Sequence, residues 1–486
     1  MAQVVDFLNA LIWSHWLVKL CLGAGLWFTI STRFVQIRHV GEMLRLIFQG
    51  ESSEQGVSPF QALAISISGR VGTGNIAGVT TAIALGGPGA VFWMWTIAFL
   101  GAASAFVEST LAQIYKCEQD GEYRGGPAYY IEKGMGNKTY SSVFAVSTIV
   151  SMGIFMPGVQ SNSIAAGLDN AFGIPPLITA FALIAVLATI LFGGVKRIGK
   201  VAEFVVPFMA VAYIFVALII IGMNIEKLPG VIELIYRSAF AIEPAFSGVV
   251  GMAISWGVKR GIYSNEAGQG TGPHAAAAAE VSHPVKQGLV QAFSIYVDTW
   301  FICSATAFMI LITGMYNVEN PFGGFIKNNI GDVEVGPAYT QMAVETAFPG
   351  FGAPFVGIAL LFFAFTTIMA YYYIAETNVA YLNRERKSPW MMVGLRAILL
   401  GSTFFGAVKT AELAWGMGDV GVGLMAWLNM IALLIIQKPA IIALRDYEKQ
   451  KKQGLDPVFS PTELGIKHAH WWEQPETKER YDNKII

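Results

Sequence analysis

A chain of 486 residues with 54% hydrophobic and only 13% charged residues, at a mean hydropathy of +0.52, departs from the roughly 25% charged content of soluble domains. The composition excludes an ordinary soluble globular protein and predicts an all-α polytopic membrane protein. The net charge of −1 says nothing about partners, and no nucleic-acid partner is expected.

Apolar runs near the ~20 residues that cross a bilayer recur at 11–32, 59–85, 89–115, 141–168, 175–194, 201–222, 244–258, 287–314, 352–380, 391–408 and 413–437, about eleven spans. The first has no basic residues ahead of it and is followed by Arg33, Arg38 and Arg45 rather than by a small-residue cleavage site, so it reads as a retained helix and not a signal peptide. The second carries Ser68-Gly69-Arg70-Val71-Gly72-Thr73-Gly74-Asn75 at its centre. A glycine in a helix interior costs roughly 0.8–1.0 kcal/mol against alanine, and a cation at membrane depth at least ~2.5–3.5 kcal/mol. Such a cost points to a broken helix whose freed amides and carbonyls face a cavity. Close helix packing through small residues is the other reading of the glycines; Arg70 and Asn75 beside them favour the break.

Further along, span four contains Met156-Pro157-Gly158-Val159-Gln160-Ser161-Asn162. Pro157 removes a helical hydrogen bond, and Gln160 adds an amide that serves either a substrate or a neighbouring helix. Span seven reads Ser255-Trp256-Gly257-Val258-Lys259-Arg260-Gly261 and is expected to be the second break. Trp256 either caps a small pocket or packs at an interface. Lys259 and Arg260 mark a short span's end or face a water-filled vestibule, and Ser264-Asn265-Glu266 then falls in an inner half-helix or a gate. Span nine places Thr366 and Thr367 in an apolar helix, where hydroxyls bond an ion or turn back to the carbonyl four residues earlier. Cys21, Cys117 and Cys303 lack metal-ligand spacing, and His274 and His283 flank an alanine run with no metal role expected.

Basic loops stay cytoplasmic, and here every second connection is basic: Arg33–Arg45, Lys116–Lys138, Lys196–Lys200, Arg384–Lys387 and Lys438–Lys452. With an odd number of spans this places the N-terminus outside and the C-terminal tail in the cytoplasm of a plasma-membrane protein. A single transmembrane domain over 1–445 is expected, with 446–486 as a polar tail. The two expected breaks lie five spans apart, the pattern of an inverted-repeat transporter. The repeats would cover 59–222 and 244–437, with 11–32 as an extra helix.

The run SGRVGTGNIAG from Ser68, followed by GGPGAVFWMW from Gly86, GGPAYYIEKG from Gly125 and RGIYSNEAGQG from Arg260, resembles the alanine/glycine:cation symporter family. The resemblance implies a leucine-transporter-like fold, five plus five helices and one more. It implies a small amino-acid substrate, Na⁺ as coupling ion and no organic cofactor. The superfamily's Val-Gly-x-Gly-Asn break corresponds here to Val71–Asn75.

On that basis the amides around Gly72, Thr73, Gly74 and Asn75, at the positive end of a half-helix, are expected to hold a substrate carboxylate, with Gln160 and Trp256 shaping the pocket. The carbonyls of Ser68 and Val71, with Thr366 and Thr367 completing the set as the resemblance implies, are expected to bind Na⁺. Counting 1.5 Å per residue from the cytoplasmic ends, Arg70 lies about 16 Å deep and Asp298 about 18 Å; Glu108 lies about 12 Å deep. Arg70 is expected to pair with one of the two carboxylates, as a gate or as a brace of the bundle. A proton-coupled carrier and a passive channel are the alternatives. An enzyme is not expected, because no nucleophile–base or metal constellation occurs within the spans. Membrane lipid is the other expected partner, and a monomer is plausible.

Overall fold

The computed structural model describes residues 2–191, 194–243 and 246–477. The ends of the runs expected at 175–194 and 244–258, and the tail beyond 477, fall partly outside the described residues. Within them the protein is α-helical apart from two short hairpins, Cys117–Gln119 with Glu122–Arg124 and Asn317–Glu319 with Phe325–Asn328.

Among the described residues, seven helices are long and apolar enough to cross a membrane, or eight when a bent pair is counted as one. That pair is α1 (Ala2–Ile12) and α2 (His15–Ser31), which meet at 43°, so the first span begins earlier than expected and is bent at Trp13–Ser14. α3 (Pro59–Arg70) and α4 (Gly74–Gly86) follow, then α5 (Gly89–Ile114), α6 (Lys138–Phe172), α7 (Pro176–Leu191) and α8 (Arg197–Met223). The second half contains α9 (Val250–Asn265), α10 (Gly272–Ala278), α11 (Pro284–Thr313), α12 (Gly352–Asn383), α13 (Pro389–Val408), α14 (Ala411–Ile436) and α15 (Lys438–Lys452).

An outward apolar stripe shows how α8 meets its surroundings. Phe204, Phe208, Val211, Phe215 and Leu218 recur at spacings of three and four and are each at least 60% exposed. A wholly apolar exposed face at helical period suits hydrocarbon, not water.

α3 starts where the sequence supplies a capping box: Ser58 Oγ accepts from the Gln61 amide and Gln61 Oε1 from the Ser58 amide, both at 3.1 Å, ahead of Pro59. It stops at Val71, whose ψ of 89° leaves the helical region. The Asn75 side chain then accepts from the Gly72 amide at 2.9 Å, and one π-helical turn, Gly74–Gly78, carries the chain into the rest of α4. The first break is where it was expected.

The second is not at Ser255–Gly261. α9 is continuous from Val250 to Asn265, and the chain breaks at Glu266–Thr271 before α10. Glu266 is left-handed at φ 55°, and Gly268 and Gly270 have φ of 75° and 93°. Gly257 and Gly261 have a packing role instead. A Cβ on Gly257 would stand 2.5 Å from the Ala90 carbonyl oxygen, and one on Gly261 2.4 Å from Ile97, so both let α9 lie close against α5.

The basic connections gather on one face. Arg33 and Arg38 meet Glu448, Lys138 meets Glu385, Lys286 meets Asp456, and Arg384 grips Glu132 through two hydrogen bonds of 2.6 Å. Partial burial pushes the Glu132 carboxyl up, but hydrogen bonds from Arg384 and Tyr381 outweigh it and hold the group below its ordinary value of 4.5. The pair's stabilisation is therefore complete above about pH 4.5 and fades as the pH falls through the lowered native value. Arg384→Ala is expected to cost about 1 kcal/mol, since the pair is partly solvated. Melting curves at pH 7 and pH 4 check this: the gap between wild type and variant should shrink at the lower pH.

The same face carries the last described residues, which are folded rather than free. Phe459 N donates to the Ser282 carbonyl at 3.0 Å, Trp472 Nε1 to the Gln113 carbonyl at 2.9 Å, and the Trp471 ring lies 4.0 Å from Lys116 Nζ.

Candidate functional site

The first break lies wholly inside the bundle, with every residue from Leu63 to Thr80 buried. At its entry, Thr367 Oγ1 lies within hydrogen-bond reach of three carbonyls, Ser68 at 2.8 Å and Val71 at 3.3 Å across the gap and Phe363 at 2.9 Å within α12, and donates its one proton to one of them. Three of the expected ion donors thus converge. The fourth does not: Thr366 Oγ1 turns back to the carbonyls of Phe362 at 3.0 Å and Phe363 at 2.9 Å within α12. Two carbonyl oxygens and a hydroxyl, all neutral and hard, suit a monovalent alkali cation better than a transition metal.

Gly72 separates that cluster from the Gln160 amide. A Cβ here would stand 2.5 Å from Thr367 Oγ1 and 2.9 Å from Gln160 Oε1. Gln160 Oε1 accepts from the Thr73 amide at 3.0 Å. α6 reaches this point with a π-helical turn, Ser151–Phe155, directly before Pro157, where the ring removes a backbone donor. Asn162, on the same helix, instead bonds the carbonyls of Gly406 and Lys409 at 3.1 and 2.7 Å and ties α6 to α13.

On the other side of the break, Asn75 Nδ2 donates to Asp298 Oδ1 at 2.6 Å. Ser264 Oγ, near the end of α9, and Thr299 Oγ1 complete that carboxylate's partners at 3.0 and 2.7 Å. Asp298 sits in a π-helical stretch of α11, Tyr296–Cys303, and links the first break to the helix that leads into the second.

The expected pairing of Arg70 with Asp298 or Glu108 is not what the structure shows. Arg70 donates to Ser294 and Gln291 on α11. Glu108 instead satisfies the second break: it accepts from the Gly268 amide at 3.2 Å and from Asn429 at 2.9 Å, while Asn429 also donates to the Gly268 carbonyl at 2.9 Å. A sharp buried loop must have its backbone groups met by side chains, and Glu108 and Asn429 do this.

Trp256 lies away from the break, in the wall of a cavity on the face opposite the basic connections. Beside it Lys259 Nζ and Arg260 meet Asp419 at 2.7 and 2.8 Å.

Glu266, expected from the sequence only as part of an inner half-helix or a gate, has a larger place in the structure, and Asp419 was not singled out at all. Glu266, buried at the second break, accepts from Thr271 at 2.7 Å through one oxygen, while the other has no protein partner. It stood in the RGIYSNEAGQG run, where a carboxylate between glycines was the signal. Asp419 was a lone acid inside an apolar run, itself a marker of function.

A family model described as the sodium:alanine symporter family matches residues 1–461. The chain is 65% identical over 479 residues to the putative sodium/proton-dependent alanine carrier protein YrbD of Bacillus subtilis (strain 168), covering 99% of each. It is 57% identical over 433 residues to the sodium/proton-dependent alanine carrier protein of Bacillus sp. (strain PS3), covering 89% of this chain and 97% of that one. It is 44% identical over 487 residues to the probable sodium/glutamine symporter GlnT of Bacillus subtilis (strain 168), covering 100% and 98%.

Proposed function

The chain belongs to the sodium:alanine symporter family and is a multi-pass membrane transporter, and from that premise we propose that it imports alanine or a similarly small neutral amino acid together with Na⁺. The observation that carries this reading is Gly72, wedged between Thr367 Oγ1 and Gln160 Oε1. On one side stand the ion's donors, the Ser68 and Val71 carbonyls and Thr367. On the other stands the substrate's frame, the Gly72–Asn75 backbone and Gln160. Bound Na⁺ holds α3 against α12 and shapes the same backbone that receives the substrate carboxylate. Binding of either then strengthens the other by an equal factor.

In this reading the basic face is cytoplasmic, the N-terminus is outside, and eleven crossings form two inverted sets of five plus the bent α1–α2 helix. The two breaks belong to corresponding members of the sets, and rocking about them gives access from alternate sides. The bond from Asn75 to Asp298 and the bonds of Ser264 to the same carboxylate carry movement from one break to the other. Arg70 braces α3 against α11 through Ser294 and Gln291.

Purified protein in liposomes, given labelled alanine with and without an inward Na⁺ gradient, tests the proposal. Accumulation driven by the gradient is expected; equal uptake when K⁺ replaces Na⁺ at fixed pH sinks sodium coupling. Proton coupling is the second reading, favoured by the unpartnered buried oxygen of Glu266 and by the relatives' names. Under it, an inward proton gradient alone drives uptake.

A further inference from the structure

The cavity beside Trp256 has a volume of about 830 Å³ and lies on the face opposite the basic connections, the outer face in the orientation proposed above. Its floor is charged and built. Asp419 Oδ1 and Oδ2 accept from Arg260 at 2.8 and 3.1 Å, and Oδ2 also meets Lys259 Nζ at 2.7 Å. Two cations thus share one carboxylate, leaving an excess of positive charge. Arg260 is 3% exposed and its Nε–H has no protein partner, while Lys259 keeps 13% of its side chain accessible. Four carboxylates also line the cavity, Glu319, Asp332 and Glu334 from the connection between α11 and α12 and Glu412 from the first turn of α14, and these make the wall toward its mouth.

Positive floor and negative wall impose a field along the cavity axis. Asp332, Glu334 and Glu412 are exposed at the mouth while Arg260 and Asp419 are buried at the base, and in a cleft with apolar walls such a field orients a dipolar solute. A small zwitterion placed here turns its carboxylate down to the cations and its ammonium up to the acids. We propose that this cavity is a second amino-acid subsite, an outer recognition site in which Lys259 and Arg260 hold the carboxylate of a zwitterionic amino acid and the wall carboxylates hold its ammonium. The proposal rests on the amino-acid substrate of the reading above.

The floor leads to the first break. The Trp415 ring lies 4.6 Å from the Arg260 guanidinium and 4.9 Å from the Tyr263 ring. A Cβ on Gly78 would be 3.7 Å from Trp415, and one on Gly74 3.2 Å from Tyr263. These two rings and Arg260 therefore form a thin partition between the cavity and the π-helical turn that follows Gly72 and Thr73. A substrate held carboxylate-down above the partition already has the orientation that the Gly72–Asn75 amides require below it. The same charges disfavour solutes lacking either group: acetate loses the contact with the acids, and an amine loses the contact with the cations.

Equilibrium binding of labelled alanine to the purified full-length protein in lipid nanodiscs, at saturating Na⁺, tests this. The wild type is expected to bind two alanines per chain. Gly72→Ala, which blocks the inner site, keeps one, and acetate competes for it at least tenfold less well than alanine. Lys259→Met loses that outer site or weakens it about tenfold, the size of a lost charge-assisted hydrogen bond, and raises the KM of uptake; Lys259→Arg restores both, which separates the effect from misfolding. One alanine per wild-type chain, an outer site indifferent to Lys259→Met, or acetate competing as well as alanine overturns the proposal while leaving the inner site standing. A wild type that binds no alanine at all overturns the amino-acid reading itself.

Discussion

Gly72→Ala is expected to reduce Na⁺-driven alanine uptake by about a hundredfold or more while leaving the protein folded. The added methyl would stand 2.5 Å from Thr367 Oγ1 and 2.9 Å from Gln160 Oε1, closer than heavy atoms approach without displacement. Neither neighbour has a free direction to yield, since Thr367 is bonded to the Ser68 carbonyl at 2.8 Å and Gln160 to the Thr73 amide at 3.0 Å. Overpacking of this kind costs roughly 1–3 kcal/mol. Here it falls on the ion donors and the substrate frame together, and each ~1.4 kcal/mol is tenfold in an equilibrium constant. The bundle as a whole survives, because the strain is confined to one turn. Uptake in liposomes and a melting curve on the same preparation check this; a well-folded variant with wild-type uptake would contradict it.

Thr367→Val and Thr366→Val should differ, although the residues are adjacent and the changes identical. Valine keeps the shape of threonine and removes only the hydroxyl. Both hydroxyls lie within reach of the Phe363 carbonyl of their own helix, but only the one at 367 also reaches across to the Ser68 and Val71 carbonyls, whereas at 366 the other contact is Phe362. A hydrogen bond to a charged group is worth about 1.5–3 kcal/mol, and with an oxygen–cation contact set at that scale Thr367→Val should raise the Na⁺ concentration for half-maximal uptake by about ten- to a hundredfold. Thr366→Val should change it by less than about twofold. Sodium activation curves at fixed alanine provide the comparison. Equal sensitivity of both positions would remove the assignment of Thr367 to the ion.

The first break was legible in the sequence because its signals conflict with their surroundings. Three glycines, an arginine and an asparagine in an apolar run have few explanations. The second break was displaced because glycine has two uses in a membrane helix. Gly257 and Gly261 beside two cations looked like an unwound segment, and only the approach of Ala90 and Ile97 shows them as packing positions. The true turn needs a left-handed residue, which Glu266 supplies, and a non-glycine residue there gives no sequence warning. Arg70 illustrates a different limit. Depth along a span follows from counting residues, and the count put Arg70 and Asp298 near one level. It carries no information about which way a side chain points around its helix. The π-helical stretch Tyr296–Cys303 around Asp298 changes that direction further, so the carboxylate meets Asn75 and Ser264 while Arg70 meets Ser294 and Gln291.

The proposed mechanism couples sodium and alanine through one short stretch of backbone, and a linkage experiment addresses that coupling without any substitution. Alanine affinity is measured at low and at saturating Na⁺, and Na⁺ affinity at low and at saturating alanine, on purified protein in nanodiscs. The shared site predicts that each ligand tightens the other, by the same factor, about tenfold or more. An alanine affinity that does not change with Na⁺ would contradict it.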